Sequence, residues 1–126
     1  MTDKLATFLA DTASEHHDVA LNSCGVWCVR WMMARTGISV ALPDVLTWDA
    51  ARSADVRSMF MDYVARFGLH EREFPSRGDV ALFASDERFV RHTGFAIGIF
   101  ADPFWAFRSE NGIRYMRHVT AAEVYG

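Results

Sequence analysis

Cysteine is scarce in this chain of 126 residues, which has only two cysteines, at positions 24 and 28. On a helix, two cysteines four residues apart point along the same face, which gives poor geometry for a disulfide bond. The pair supplies only two zinc ligands, and His16 and His17 do not stand at a spacing typical of zinc fingers. We therefore expect neither a disulfide between the two cysteines nor a metal ion or other cofactor.

Long apolar runs and an excess of positive charge are also missing. No stretch approaches the roughly 20 apolar residues that a helix needs to cross a bilayer. Charged residues interrupt the segment 1–18, so we expect no secretory signal there. The formal net charge of −3 and the isoelectric point near 5.9 give no electrostatic reason to expect binding to nucleic acid or to an anionic membrane. We therefore expect no membrane insertion and no nucleic-acid partner.

Apolar residues, by contrast, are abundant. They make up 51% of the sequence against 23% for charged residues, which is sufficient for the core of a globular protein. No repeat, low-complexity segment or linker divides the chain, and its length suits one domain. We therefore expect residues 1–126 to form a single globular domain.

Helical patterns dominate the first half of the chain. Apolar residues recur at helical spacing in three segments, and Gly37 and Gly68 stand where left-handed caps end helices. Asn22 or Ser23 can cap the helix that contains both cysteines, and Pro43 suits the first turn of a further short helix. The predicted helices span residues 2–14, about 24–35, 43–51 and 56–67.

After Gly68 the period changes to the alternation typical of strands. Residues 77–79 (Arg-Gly-Asp) are interpreted as a turn in which Asp79 binds backbone amides, and Asn111-Gly112 is a strong signal for a tight hairpin. The predicted strands span residues 69–74, 80–83, 93–100, 104–107 and 113–116. Because helices come first and an antiparallel sheet follows, the sequence predicts an α+β fold.

Cys24 and His92 are the residues that could share chemistry. A thiol in the first turn of a helix lies where free amides and the macrodipole stabilise an anion, which lowers the pKa of cysteine. His92 precedes a predicted strand and follows a polar turn, so it is placed at a strand end, where an imidazole can act as general base. The alternative is that Cys24 packs in the core, as we expect for Cys28.

Four motifs in order resemble the NlpC-type cell-wall cysteine peptidases, bacterial relatives of papain. They are Cys24 opening a helix, Thr36-Gly37 ending it, Gly78-Asp79-Val80, and His92-x-Gly94-x-x-x-Gly98. The match spans residues 20 to about 109. The chain is most similar to a small branch of this superfamily found among phage and prophage tail-assembly proteins and gene transfer agents.

The resemblance implies a papain-like fold, in which the Cys24 helix packs on the sheet with the thiol at the helix–sheet cleft. It implies a cysteine peptidase that cleaves stem peptides of peptidoglycan, with Cys24 as nucleophile and His92 as general base. Other tail-tip or baseplate proteins would be its partners, and it would be made in the bacterial cytoplasm and carried in the virion. Trp27, Trp48 and Trp105 either line the cleft or belong to the core.

The sequence departs from the family pattern at three places. Ser23 stands where the peptidases usually carry Asp, and Gly25-Val26 replaces the common Ser-Gly. The third polar residue, which orients the histidine, should fall at about Phe107, which is apolar. Asp102, Ser109 and Glu110 are the alternatives in the sequence, or no residue takes this role; an unoriented imidazole would lower the rate.

Three hypotheses follow from these residues. The first is the phage-tail peptidase with Cys24 and His92. The second is a structural tail-tip or assembly protein that keeps the peptidase fold without turnover, which the apolar Phe107 favours. The third is a cysteine-dependent acyltransferase or amidase, because a thiolate–imidazole pair can transfer an acyl group either to water or to an amine.

Overall fold

Helices in the first half of the chain and strands in the second half form the architecture. The computed structural model describes residues 3–15, 24–41, 53–84, 95–109, 112–117 and 119–126. Within these ranges the helices are Lys4–Ala13 (α1), Cys24–Thr36 (α2) and Ser53–Arg66 (α3), and the strands are Val80–Ala84 (β1), Phe95–Phe100 (β2), Trp105–Ser109 (β3), Gly112–Met116 (β4) and Glu123–Tyr125 (β5). None of these helices is long and apolar enough to span a membrane.

Local signals set the helix ends, and those at Gly37 and Gly68 are predicted from the sequence. Asp3 caps α1 by accepting hydrogen bonds from the amides of Leu5 and Ala6 at 3.1 and 3.2 Å. Gly37 directly follows α2 and Gly68 stands two residues after the end of α3; both adopt the left-handed conformation, with φ of +76° and +68°. The predictions for these three helices are therefore confirmed, whereas the predicted helix 43–51 lies outside the described residues.

The strands form one antiparallel sheet in the order β4-β3-β2-β1-β5. A tight hairpin between β3 and β4 is confirmed, since Ser109 at the end of β3 pairs with Gly112 at the start of β4; the residues between them lie outside the described part. The segment 69–74 is not a strand as predicted, although His70 and Arg72 form backbone hydrogen bonds with Gly126 and Val124 on either side of an isolated bridge between Glu71 and Tyr125. The sequence pattern also did not predict β5, which pairs with β1.

The two faces of the sheet have different surroundings. Alternation along the strands points Val80, Leu82, Ile97 and Ile99 towards a core shared with the three helices. The opposite face carries a separate buried aromatic cluster, formed by Ala81, Phe83, Trp105, Phe107 and Val124. The α+β class is therefore confirmed, and the buried strand residues of these two clusters can be assigned to the helix face or to the opposite face.

Candidate active site

The helix that carries the cysteines begins at Cys24, as the capping pattern predicts. The first amides of a helix have no partner within it, so this end can stabilise a negative charge. The backbone of Cys24 is described, but its side chain lies outside the described part. Cys28, one turn later, is fully buried in the core, which confirms its predicted packing role.

The C-terminal half of α2 is fixed beside the end of β2. The indole N–H of Trp31 donates to the carbonyl oxygen of Gly78 at 2.8 Å, and Arg35 donates to the same oxygen at 3.1 Å. The amide of Gly78 in turn donates to the carbonyl oxygen of Phe100, the last residue of β2, at 2.8 Å. The later turns of α2 therefore lie at the Phe100 end of the strand.

The N-terminal half of α2 is fixed at the other end of the sheet. The indole N–H of Trp27 donates to Thr12 Oγ1 at 3.0 Å, and the Arg108 guanidinium donates to the backbone carbonyl oxygen of Thr12. Arg108 stands near the end of β3, which runs antiparallel to β2. Since α2 rises about 1.5 Å per residue, Cys24 lies about 4.5 Å beyond Trp27 in this direction. Thus α2 and β2 run the same way, and Cys24 lies at the end where β2 begins, at Phe95.

His92 itself lies outside the described residues. In the sequence it stands three residues before Phe95, where the described strand starts. Asp102, one alternative for the orienting residue, follows the opposite end of β2 and is exposed. It is therefore too far along the strand to serve at the Cys24 end. Ser109 ends β3 at the same end as Phe95, and Glu110 lies outside the described part.

Phe107 lies on the face of the sheet opposite α2. Its ring contacts Phe83 with centroids 5.0 Å apart, and it covers Gly98, where an added Cβ would be 2.6 Å from a ring carbon of Phe107. The expected position of the third polar residue is thus filled by a core aromatic that points away from the Cys24 helix. On β3 the positions that face the helices are Ala106 and Arg108, because residues alternate between faces.

Arg108 is the polar residue that sequence reasoning missed. It is only 7% exposed, and its guanidinium donates to the carbonyl oxygens of Thr12 and Glu15 at the end of α1. A cation is favoured there, because a helix C-terminus carries partial negative charge. Glu15 also forms a forked ion pair with Arg30 of α2, both hydrogen bonds being 2.9 Å long. The alternation in the sequence Trp-Ala-Phe-Arg could have placed Arg108 on the opposite face from Phe107.

The predicted turn at Arg77-Gly78-Asp79 is confirmed, and its contacts hold α2 against the start of β1. The Asp79 carboxylate is fully buried and accepts a hydrogen bond from the amide of Ser76 at 2.9 Å. Arg35 of α2 and Arg72 approach the same carboxylate at 3.5 and 3.3 Å. The Gly-Asp motif therefore joins α2 to the start of β1, and it lies away from the Cys24 end of the helix.

The tryptophans considered for a cleft belong to cores where they are described. Trp27 is fully buried beneath α1, with its ring 5.7 Å from that of Phe8. Trp105 packs edge to face on Phe83 on the opposite face of the sheet, at 5.0 Å. Trp48 lies outside the described residues. Among the residues that the structure describes, no three His, Cys, Asp or Glu side chains gather in a way that could hold a metal ion.

Comparison of the chain with protein-family models, with curated proteins and with solved structures finds no match. The assignment of a function therefore depends on the residues and on the geometry given above.

Proposed function

We propose that this protein is a cysteine peptidase of the NlpC type that cleaves stem peptides of peptidoglycan, with Cys24 as nucleophile and His92 as general base. The observation that carries the proposal is the shared direction of α2 and β2. Cys24 begins the helix at the end of the sheet where β2 begins, and His92 precedes Phe95 of β2 by three residues. This arrangement supports a meeting of thiol and imidazole at that end.

The chemistry of such a pair is acyl transfer in two steps. The imidazole takes the proton of the Cys24 thiol, and the thiolate attacks the carbonyl carbon of the scissile peptide bond. Backbone amides at the N-terminus of a helix can donate to the oxyanion that forms, and the first turn of α2 supplies such a terminus. The imidazolium then protonates the leaving amine, and water activated by the neutral imidazole hydrolyses the thioester to release the acid.

The resemblance to tail-assembly proteins and gene transfer agents supports the biological setting of the proposal. In that setting the protein is a component of a phage or phage-like tail, made in the bacterial cytoplasm and carried in the virion. Its partners are tail-tip or baseplate proteins, and its substrate is the peptide part of the cell wall. A papain-like topology for the whole chain is part of the same proposal.

A second candidate function is a tail protein that keeps this fold without turnover. The observation that favours it is the chemistry of β3, where the helix-facing positions are Ala106 and Arg108. Neither is a carboxylate, amide or imidazole that could orient His92 through its side chain. The hydrogen bonds from Arg108 to the end of α1 give it a structural task instead.

Thiol reactivity separates these two functions. In the peptidase, iodoacetamide modifies Cys24 of the folded protein below about pH 8, where an ordinary thiol with a pKa of about 8.5 is mostly protonated. Cys28 serves as the internal control because it is fully buried. Mass spectrometry of digested protein assigns the label, and His92→Gln should slow labelling of Cys24 only. Equal, slow labelling of both cysteines would contradict the proposal.

Turnover provides the direct test. Purified muropeptides should be cleaved by the wild-type protein, and Cys24→Ala should abolish cleavage without changing the unfolding midpoint. Tails that assemble with Cys24→Ala but lose infectivity would reject the purely structural role. Full infectivity of the same variant, together with no muropeptide cleavage by the wild type, would favour it over the peptidase.

A further inference from the structure

The last turn of α1 joins the elements on which the candidate site is built. Thr12 is only 2% exposed, and its Oγ1 accepts the hydrogen bond from Trp27 while donating to the carbonyl oxygen of Phe8 at 2.8 Å. The backbone carbonyl oxygen of Thr12 accepts from Arg108. A single residue therefore connects α1, the first turns of α2 and the helix-facing side of β3.

The first turn of α2 depends on such contacts for its position. Amides at the start of a helix have no carbonyl partner within the helix, so the packing of side chains such as Trp27 helps to set the position of this turn. Trp27 stands three residues after Cys24, and it is fully buried with its indole N–H bonded to Thr12 at 3.0 Å. The Thr12 hydroxyl therefore contributes to the position of the turn that begins at Cys24.

We infer that Thr12 is a positioning residue for the Cys24 nucleophile, acting through Trp27. This inference rests on the proposed function, and it assigns Thr12 no contact with the substrate. The hydroxyl holds the angle of the first turn of α2, and with it the direction of the thiol and of the amides that face the oxyanion. Catalysis is sensitive to such angles, since a displacement of about 1 Å can cost about 100-fold in rate.

Two substitutions of Thr12 separate the hydroxyl from the bulk of the side chain. Thr12→Val keeps the shape and removes the acceptor for Trp27, whereas Thr12→Ser keeps the hydroxyl. We expect Thr12→Val to slow labelling of Cys24 by iodoacetamide about tenfold, and Thr12→Ser to restore it to within about twofold of the wild-type rate. With muropeptides, Thr12→Val should lower kcat more than it changes KM.

The matched control is Val124→Ala. Val124 is buried on the opposite face of the sheet, so its truncation weakens the fold without touching α1 or α2. If Val124→Ala has a denaturation midpoint similar to that of Thr12→Val, iodoacetamide should still label its Cys24 at the wild-type rate. Equal slowing in the control, a wild-type rate in Thr12→Val, or a failure of Thr12→Ser to restore labelling would each overturn the inference.

Backbone hydrogen exchange distinguishes failure of this inference from failure of the proposed function. The amide of Cys28 is the first in α2 that can donate to a carbonyl oxygen of the helix, that of Cys24. Its exchange should be faster in Thr12→Val than in the wild type and unchanged in Val124→Ala. If Cys24 of the wild type proves unreactive, the proposed peptidase function is rejected, but exchange of the Cys28 amide still tests the effect of Thr12 on the first turn of α2. Unchanged exchange in Thr12→Val overturns the inference.

Discussion

A methyl group added at Gly98 should destabilise the protein through its contact with Phe107. The ideal Cβ at this position would lie 2.6, 3.0 and 3.1 Å from three ring carbons of Phe107. Gly98 cannot retreat easily, because it lies within β2 and pairs with Ala81 of β1. The ring is confined as well, since it is 6% exposed and packs against Phe83. One of the two must therefore move by several tenths of an ångström.

The expected size of this effect is the difference of two terms. Overpacking of a filled core costs about 1–3 kcal/mol, whereas replacing glycine by alanine restricts the unfolded chain and returns about 0.4–1 kcal/mol. We therefore expect Gly98→Ala to lower the free energy of unfolding by about 0–2.6 kcal/mol, with about 1.3 kcal/mol from the centres of the two ranges. Urea unfolding followed by tryptophan fluorescence measures this as a lower midpoint with an unchanged m-value.

A double-mutant cycle tests the cause. Phe107→Leu shortens the side chain over Gly98, so Gly98→Ala should cost less in that background, with a coupling energy of about 0.5–1.5 kcal/mol. Additive effects of the two substitutions would show that the ring does not cover Gly98. A Gly98→Ala variant more stable than the wild type would likewise contradict the contact between Gly98 and the Phe107 ring.

Three further predictions concern the buried and paired charges. Asp79→Asn removes the carboxylate that faces Arg35, and we expect it to lower the free energy of unfolding by about 1–3 kcal/mol; an unchanged thermal midpoint would contradict this. The two hydrogen bonds from Arg57 lower the pKa of Glu123, so the ion pair stabilises the protein above the unfolded-state pKa of Glu123 and this contribution is lost as pH falls through the folded-state pKa. Glu123→Gln should therefore flatten this part of the acid unfolding profile, and a profile identical to that of the wild type would contradict the prediction. Burial and the hydrogen bond to Glu123 raise the pKa of Tyr125 to about 12, so the protein should lose stability as pH rises from about 10 to about 12. Tyr125→Phe should remove that loss, and an unaltered pH profile would assign the loss to other groups.

The sequence predicts those parts of the fold that depend on residues close together in the chain. Gly37 and Gly68 end helices because each supplies a left-handed cap, and the Asn-Gly signal correctly predicts a hairpin between the adjacent strands β3 and β4. The sequence pattern does not predict β5, because its three residues include one charged side chain and its partner β1 is distant in the sequence. Short strands that are held by remote partners have little pattern of their own.

For the candidate site, the sequence predicts positions along elements but not the contacts between them. Cys24 is found at the start of its helix because helix starts have local signals. The hydrogen bonds from Arg108 to Thr12 and Glu15 join residues more than 90 positions apart. No local pattern encodes such a pair, and only the three-dimensional packing of α1 on the sheet explains why an arginine is tolerated at this buried position.

The strand order has a consequence for how the chain reaches its native state on the ribosome. β1 lies between β2 and β5, so one of its flanks can form its hydrogen bonds only after residues 123–125 have been synthesised. Until then Val80, Ala81 and Leu82 expose backbone groups on an apolar strand, the kind of edge that pairs with foreign chains. Nascent chains should therefore depend most on chaperones in the interval between the emergence of β1 and that of β5.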